Sequence, residues 1–111
     1  MFTSYFSHPE IRKNPLAVSI ARYTPRWWGK GRRYIALAPS ADLLRRSQNG
    51  LSWQEYRREY TAQLDALDAL QVYEALKNSI LVCYEAPGDL CHRRLVAEWI
   101  EKKLGIKVPE L

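Results

Sequence analysis

The side chains of this sequence best suited to chemistry follow one apolar run. Residues 79–84 predict a buried strand, and Glu85, Cys91, His92 and Arg93 come shortly after it. In open α/β sheets, ligands bind beyond the carboxyl ends of strands, where a helix N-terminus offers free N–H groups to an anion. The segment therefore predicts a site for a phosphate or carboxylate group, with reactive side chains beside it.

Each of these side chains has a predicted role. A helix N-terminus stabilises a thiolate, so Cys91 is predicted to act as nucleophile or acid, with His92 as its proton partner. Glu85 would orient the imidazole or act as a general acid/base, and Arg93 would clamp an anion. A plainer interpretation stands beside this one, because Cys91 and His92 also continue the apolar face of the following helix and would pack there.

The second cysteine, Cys83, lies inside the predicted strand and is interpreted as a packing residue. A zinc site made by Cys83, Cys91 and His92 is conceivable, but the spacing has no paired C-x-x-C and names no fourth ligand. No metal and no cofactor are therefore predicted. Two cysteines are too few for a disulfide framework, and a reducing compartment would keep both as thiols.

The charge distribution indicates a second candidate region. The net charge is +5, yet the first 34 residues carry seven Lys and Arg against one acid, whereas the rest carry ten against eleven. Residues 22–34, called here the basic aromatic segment, contain no acid. Its basic and aromatic members are Arg22, Tyr23, Arg26, Trp27, Trp28, Lys30, Arg32, Arg33 and Tyr34.

Two interpretations of the basic aromatic segment remain open. Cations neutralise phosphates and aromatic faces stack on unpaired bases, so the composition predicts binding of a nucleotide or a single-stranded nucleic acid. Tyr5, at the end of the first predicted strand, would line the same crevice. Alternatively, the tryptophans are core anchors and the arginines make internal cation–π contacts.

The elements that position these residues follow from apolar runs and helix caps. Strands are predicted at residues 2–6, 17–21, 79–84 and 106–108. Helices are predicted after the capping residues Ser40, Ser52, Asp68 and Asp89, and the last one ends before Gly105. Between the second strand and the first helix, residues 22–39 are predicted as a long functional loop.

Strands separated by helices predict an α/β fold in one compact domain, residues 1–111. Its small, mostly parallel sheet would be flanked by helices, as in a Rossmann-like sandwich. No apolar run approaches the roughly 18 residues of a membrane span, and the first residues lack a secretory signal. We therefore expect a cytoplasmic protein without a membrane partner.

The chain resembles the domain-of-unknown-function 488 (DUF488) family. The resemblance rests on motifs spread along the sequence: residues 3–6, 18–22, 30–34, 37–39, 63–67, 83–85, 91–93 and 95–99, with Pro25, Trp27, Glu55, Tyr56 and Tyr60. It implies a compact α/β fold and no particular reaction. The middle of the chain is shorter than in longer family members. Because these motifs coincide with both candidate regions, we expect the two regions to form one crevice.

The leading hypothesis is a small enzyme or enzyme-like domain that acts on a nucleotide or nucleic acid. Glu85, Cys91, His92 and Arg93 would form its centre, and the basic aromatic segment would hold the phosphate-bearing ligand. The alternative is a non-catalytic module that uses this segment to bind nucleic acid or another protein.

Overall fold

Three short parallel strands organise the fold. β1 (Phe2–Tyr5), β2 (Ala17–Ser19) and β3 (Ile80–Cys83) form a sheet in the order β1-β3-β2. The computed structural model describes residues 1–84 and 91–111. In the register, Tyr5 pairs with Cys83 and Ser19 pairs with Val82, so the carboxyl ends of all three strands meet at one edge. The predicted α/β class and parallel sheet are confirmed.

The helices begin close to the predicted caps. They are α1 (Ala41–Gln48), α2 (Trp53–Asp65), α3 (Ala69–Leu76) and α4 (His92–Leu104). The side chains of Ser40, Ser52 and Asp68 each accept a hydrogen bond from the backbone N–H three residues later, as the sequence predicted. Two short 3₁₀ turns, Arg26–Trp28 and Ile35–Leu37, interrupt the predicted loop. Within the described ranges, every helix is too short or too polar to cross a lipid bilayer.

Two boundaries differ from the prediction. α4 begins only at His92, and Cys91 precedes it with extended backbone, at φ −148°; the predicted cap Asp89 lies outside the described residues. The predicted strand at 106–108 is wrong. Val108 is buried in the core instead, and the chain reaches β1 only beyond it, where the N–H of Thr3 donates to the Pro109 carbonyl and an isolated bridge joins Thr3 to Glu110.

Different parts of the chain cover the two faces of the sheet. One apolar cluster joins Val18 and Leu81 to buried residues from all four α-helices. The other joins Ile80 and Val82 to Trp28 and to residues of the loops. Because side chains alternate along a strand, Cys83 shares the helix-covered face with Leu81. The end of β3 therefore points a sulfur atom toward the start of α4.

Candidate functional site

A cavity of about 700 Å³ opens at the carboxyl edge of the sheet. It lies at the end of β3, between the residues that follow β2 and the start of α4, with α1 and α2 completing its wall. Cys83, Cys91 and His92 line it together with Arg22 and Trp53. This is the position at which ligands bind in open parallel sheets, and the volume suits a small organic molecule.

The two cysteines meet at the base of this cavity. Cys83 ends β3, Cys91 directly precedes α4, and their sulfur atoms form a disulfide pair. The sequence predicted two thiols and interpreted Cys83 as a packing residue. The structure brings both sulfurs into the site because the alternation along β3 turns Cys83 toward α4.

His92 is held in one orientation beside Cys91. Its Nε2 lies 2.8 Å from the carbonyl oxygen of Ile20, which can only accept, so Nε2 carries the proton. Nδ1 then presents its lone pair 4.0 Å from the Cys91 sulfur. The pKa of His92 is lowered to about 4, mainly by burial; the bond to Ile20 opposes this shift, and the charge of Arg93 adds a smaller lowering. The imidazole is thus neutral at pH 7, as a proton acceptor must be.

Arg93 contacts Cys83 but is not among the described residues that line the cavity. It is fully buried, its Nη2 is 2.7 Å from the carboxylate of Glu110, and its Nη1 donates to the Cys83 sulfur at 3.2 Å. Its guanidinium also lies 5.8 Å from the centre of the Tyr5 ring. The predicted anion clamp is therefore already paired with a carboxylate of the chain, and its role toward a ligand stays a prediction.

Glu110 responds electrostatically to this pairing. Burial raises the pKa of its carboxyl, but hydrogen bonds from Arg93 and Thr3, with the charges of Arg93 and Arg94, outweigh burial and lower it overall. The carboxylate therefore stays ionised and holds Arg93 against Cys83 and Tyr5. A contact between residues 17 positions apart thereby joins the end of the chain to the sulfur pair.

Only the start of the basic aromatic segment reaches the cavity, where Arg22 and Tyr23 line the wall. Trp28 is buried on the opposite face of the sheet. Gly31 packs directly against its indole, since a Cβ at this position would lie 2.7 Å from the ring. The core interpretation therefore describes Trp28, and the expected single crevice is only partly formed.

The remaining cations of the segment point to several places. Arg32 donates to Ser79 near the amino end of β3, the edge of the sheet opposite the cavity. Arg33 donates to Thr24, and Arg26 and Lys30 are exposed. Half-buried Trp27 carries the guanidinium of Arg12 over its ring at 5.2 Å. Glu85, the predicted carboxylate of the centre, lies outside the described residues.

A column of aromatic rings connects the cavity wall to His92. Trp53 and Tyr56 stack with their ring centres 5.4 Å apart, and Tyr56 stacks on Tyr60 at 5.9 Å. The rings of His92 and Tyr60 are nearly perpendicular, with their centres 5.4 Å apart, and the Tyr60 hydroxyl donates to the Leu37 carbonyl. These contacts fix the imidazole from a second side.

Comparison with known families identifies the family of this chain. Residues 2–104 match DUF488-N3a, described as the "Active DUF488-N3 subclade". The chain belongs to the DUF488 family. The match spans both candidate regions of this DUF488 protein, and the resemblance stated from its motifs is confirmed. No curated protein and no solved structure matches the chain.

Three contributors to the DUF488 site were not predicted from its sequence. Trp53 was assigned only to a helix, although its place just after the Ser52 cap puts it at the helix end that faces the strand termini. No sequence signal marks the Ile20 carbonyl, because every residue has a backbone carbonyl. None marks Glu110, because its sequence does not distinguish it from an ordinary glutamate at the surface. Tertiary contacts alone select them.

Proposed function

We propose that this DUF488 protein is a small enzyme that acts on a nucleotide held in the cavity at the carboxyl edge of the sheet. One observation carries the proposal: a single cavity wall combines a basic side chain, aromatic rings and the Cys91–His92 pair. A nucleotide offers a phosphate, a flat base and a sugar to these three kinds of group. The word "Active" in the description of the matched subclade supports an enzymatic role.

Arg22 would bind the phosphate. Its Nε donates to the carbonyl oxygen of Pro39 at 2.8 Å, which fixes the guanidinium at the cavity wall. Among the described residues, no other group bonds to this side chain. Its two Nη nitrogens therefore remain for a ligand, and a guanidinium binds phosphate through paired hydrogen bonds.

The aromatic side chains would hold the base. Trp53 lies on the wall, already stacked on Tyr56 on one side, and Tyr23 lines the cavity while 65% exposed. Stacking of a base on such rings is worth roughly 1–3 kcal/mol and tolerates every base. This arrangement favours nucleotides as a class without selecting one base.

Cys91 and His92 would form the reactive end. In the reduced state, the Cys91 thiol lies beside Nδ1 of a neutral imidazole, which is the arrangement of an activated thiol nucleophile and its base. The disulfide pair with Cys83 blocks this chemistry. The proposal therefore requires a thiol reductant for activity.

Calorimetric titration of the reduced protein with adenosine monophosphate and with adenosine tests the binding step. We expect the nucleotide to bind more tightly than the nucleoside, and Arg22→Ala to weaken nucleotide binding about 10-fold or more, because a hydrogen bond to a charged group contributes roughly 1.5–3 kcal/mol. Arg26→Ala is the matched control, since it removes an exposed arginine of the same segment outside the cavity wall.

The outcomes separate the competing functions. Equal binding of nucleotide and nucleoside, or equal losses in Arg22→Ala and Arg26→Ala, would refute the cavity as a nucleotide site. Tight binding of a single-stranded oligonucleotide that Arg26→Ala weakens and Arg22→Ala spares would favour the nucleic-acid-binding module instead. For catalysis, Cys91→Ala must abolish any turnover that the bound nucleotide undergoes.

A further inference from the structure

We propose that Cys83, Cys91 and His92, once the disulfide is reduced, bind one zinc ion whose remaining coordination position opens into the cavity. The donor atoms of these three residues lie within 4.8 Å of one another. All three side chains are buried, at 1%, 4% and 7% exposure. Two sulfurs and one imidazole nitrogen form a donor set that suits tetrahedral zinc.

The distances fit this geometry. With Zn–S bonds of about 2.3 Å and Zn–N bonds of about 2.0–2.1 Å, tetrahedral ligand atoms lie roughly 3.5–3.8 Å apart. The His92 Nδ1 is already 4.0 Å from the Cys91 sulfur. The Cα atoms of Cys83 and Cys91 are 7.6 Å apart, whereas most disulfides span roughly 4.4–6.8 Å. A metal separates its two sulfur ligands more widely than a disulfide does, so this backbone spacing favours two ligands of one ion.

The surroundings of the ligands are those of a metal site. The bond from the His92 Nε2 to the Ile20 carbonyl selects the tautomer whose Nδ1 has a free lone pair, and metal-binding histidines are commonly oriented in this way. Arg93 donates to the Cys83 sulfur at 3.2 Å, which stabilises the thiolate form that a metal needs. Two thiolates also neutralise the charge of the zinc ion in this buried position.

Three protein ligands and an open position are typical of catalytic zinc rather than structural zinc. All three ligands line the cavity, so the open position would face whatever the cavity binds. This inference rests on the proposed function only for the substrate at that position, and it replaces the proposed roles of Cys91 as nucleophile and of His92 as its base. Cys91 would then serve as a metal ligand, and the reactive group would be a water molecule on the ion.

Reduction of the disulfide precedes binding of the metal. A phosphine reductant and one water convert the disulfide into two thiols and a phosphine oxide. The two thiols then lose two protons to the solvent as they bind one Zn²⁺ ion. Metal uptake should therefore release close to two protons per chain near neutral pH and weaken at acid pH.

The test uses the full chain, reduced with a phosphine, freed of metal and titrated with Zn²⁺ or Co²⁺ alone. We expect one ion per chain and the intense visible absorption of tetrahedral cobalt bound by thiolates. Cys83→Ser, Cys91→Ser and His92→Asn should each weaken binding by about 100-fold or more, because removal of a ligand exceeds the loss from a supporting residue. His8→Asn removes the only other histidine and should leave binding unchanged.

The cobalt spectrum of the unmutated protein reports the ligands directly, so the result does not depend on how well the variants fold. A reduced, folded chain that takes up no metal, or that keeps its affinity in His92→Asn, would overturn the inference. Zinc binding is measured without any nucleotide. A protein that binds zinc but no nucleotide would overturn the proposed function alone, and the opposite result would overturn the zinc site alone.

Discussion

The base of the cavity and the basic aromatic segment differ in whether residues that are close in sequence are also close in the fold. Cys83 and Cys91 are eight residues apart in sequence, yet their sulfurs meet, because a strand end and a helix start share one edge of the sheet. Residues 22–34 are contiguous, yet their side chains are divided between the cavity, the second core and the amino end of β3. Clustering in sequence is therefore a weaker indicator of a site than convergence at the edge of a sheet.

Burial of side chains also has different consequences in these two regions. At the base of the cavity, burial makes the imidazole of His92 neutral and leaves its Nδ1 facing a sulfur. In the basic aromatic segment, burial turns Trp28 into a core residue and leaves Arg26 and Lys30 in solvent. Similar apolar surroundings thus keep an imidazole neutral in one region and bury a core side chain in the other.

The largest expected effect is on the stability of the fold and concerns the buried tryptophan of the basic aromatic segment. Trp28→Ala should destabilise the fold by about 3–5 kcal/mol, the usual cost of removing a buried tryptophan. Trp27→Ala is the matched control, because the neighbouring ring is only half-buried, and it should cost less than half as much. Urea unfolding measures both values. Equal losses of stability would contradict the assignment of Trp28 to the core and of Trp27 to the partly exposed surface.

In the metal-free protein with its disulfide intact, stability should fall at acid pH because of His92. His92 has a lowered pKa of about 4 in the folded state against 6.5 in the unfolded chain. The unfolded chain therefore binds the extra proton as the pH falls through 6.5. Stability is then lost down to pH 4, by roughly 2–3 kcal/mol between pH 7.5 and 4.5.

Urea unfolding across this pH range measures the loss, and His92→Asn should lack it. The pKa of Glu110 is also lowered, so its contribution is lost on acidification too, but only below its ordinary value of 4.5. A loss that persists between pH 7.5 and 4.5 in His92→Asn would contradict the assignment to this imidazole.

A smaller effect is expected where the end of the chain supports the sulfur pair. Glu110→Gln removes the carboxylate that pairs with the buried Arg93 and should cost about 2 kcal/mol, less than a fully buried pair because Glu110 is 25% exposed. Glu98→Gln is the control, since its pair with Arg57 is exposed and should contribute less than about 1 kcal/mol. Thermal unfolding at pH 7 compares the stability of the two variants. Similar losses in both would show that Glu110 does not support the sulfur pair.

The smallest effect is expected at the dispersed cations. Lys30→Ala and Arg33→Ala should each change the affinity for a single-stranded oligonucleotide by less than about threefold, because neither side chain is among the described residues that line the cavity. Fluorescence anisotropy at several salt concentrations measures this. If the slope of log affinity against log salt concentration decreases in magnitude by about one in each variant, these cations contact phosphates. The basic aromatic segment would then be a nucleic-acid interface.

Local signals determined much of this fold from the sequence. Ser40, Ser52 and Asp68 start three helices because a side-chain oxygen satisfies a free backbone N–H without help from the rest of the chain. The apolar run before Tyr84 became the central parallel strand, because such a run must be covered on both faces. A second rule, that ligands bind beyond the carboxyl ends of parallel strands, predicted where the cavity would lie.

Other outcomes were decided only by tertiary contacts. Nothing local distinguishes a tryptophan in the second core from one in a binding loop, so Trp27 and Trp28 looked alike in sequence. The last predicted strand failed because Val108 fills the core and pairing with β1 begins beyond it. The partners of Cys83, His92 and Arg93 likewise depend on how α4 and the chain end approach the sheet.

The sequence by itself determined which residue types could react and the edge of the sheet at which they gather. The tertiary structure decided which side chains meet there, because long-range packing sets those distances.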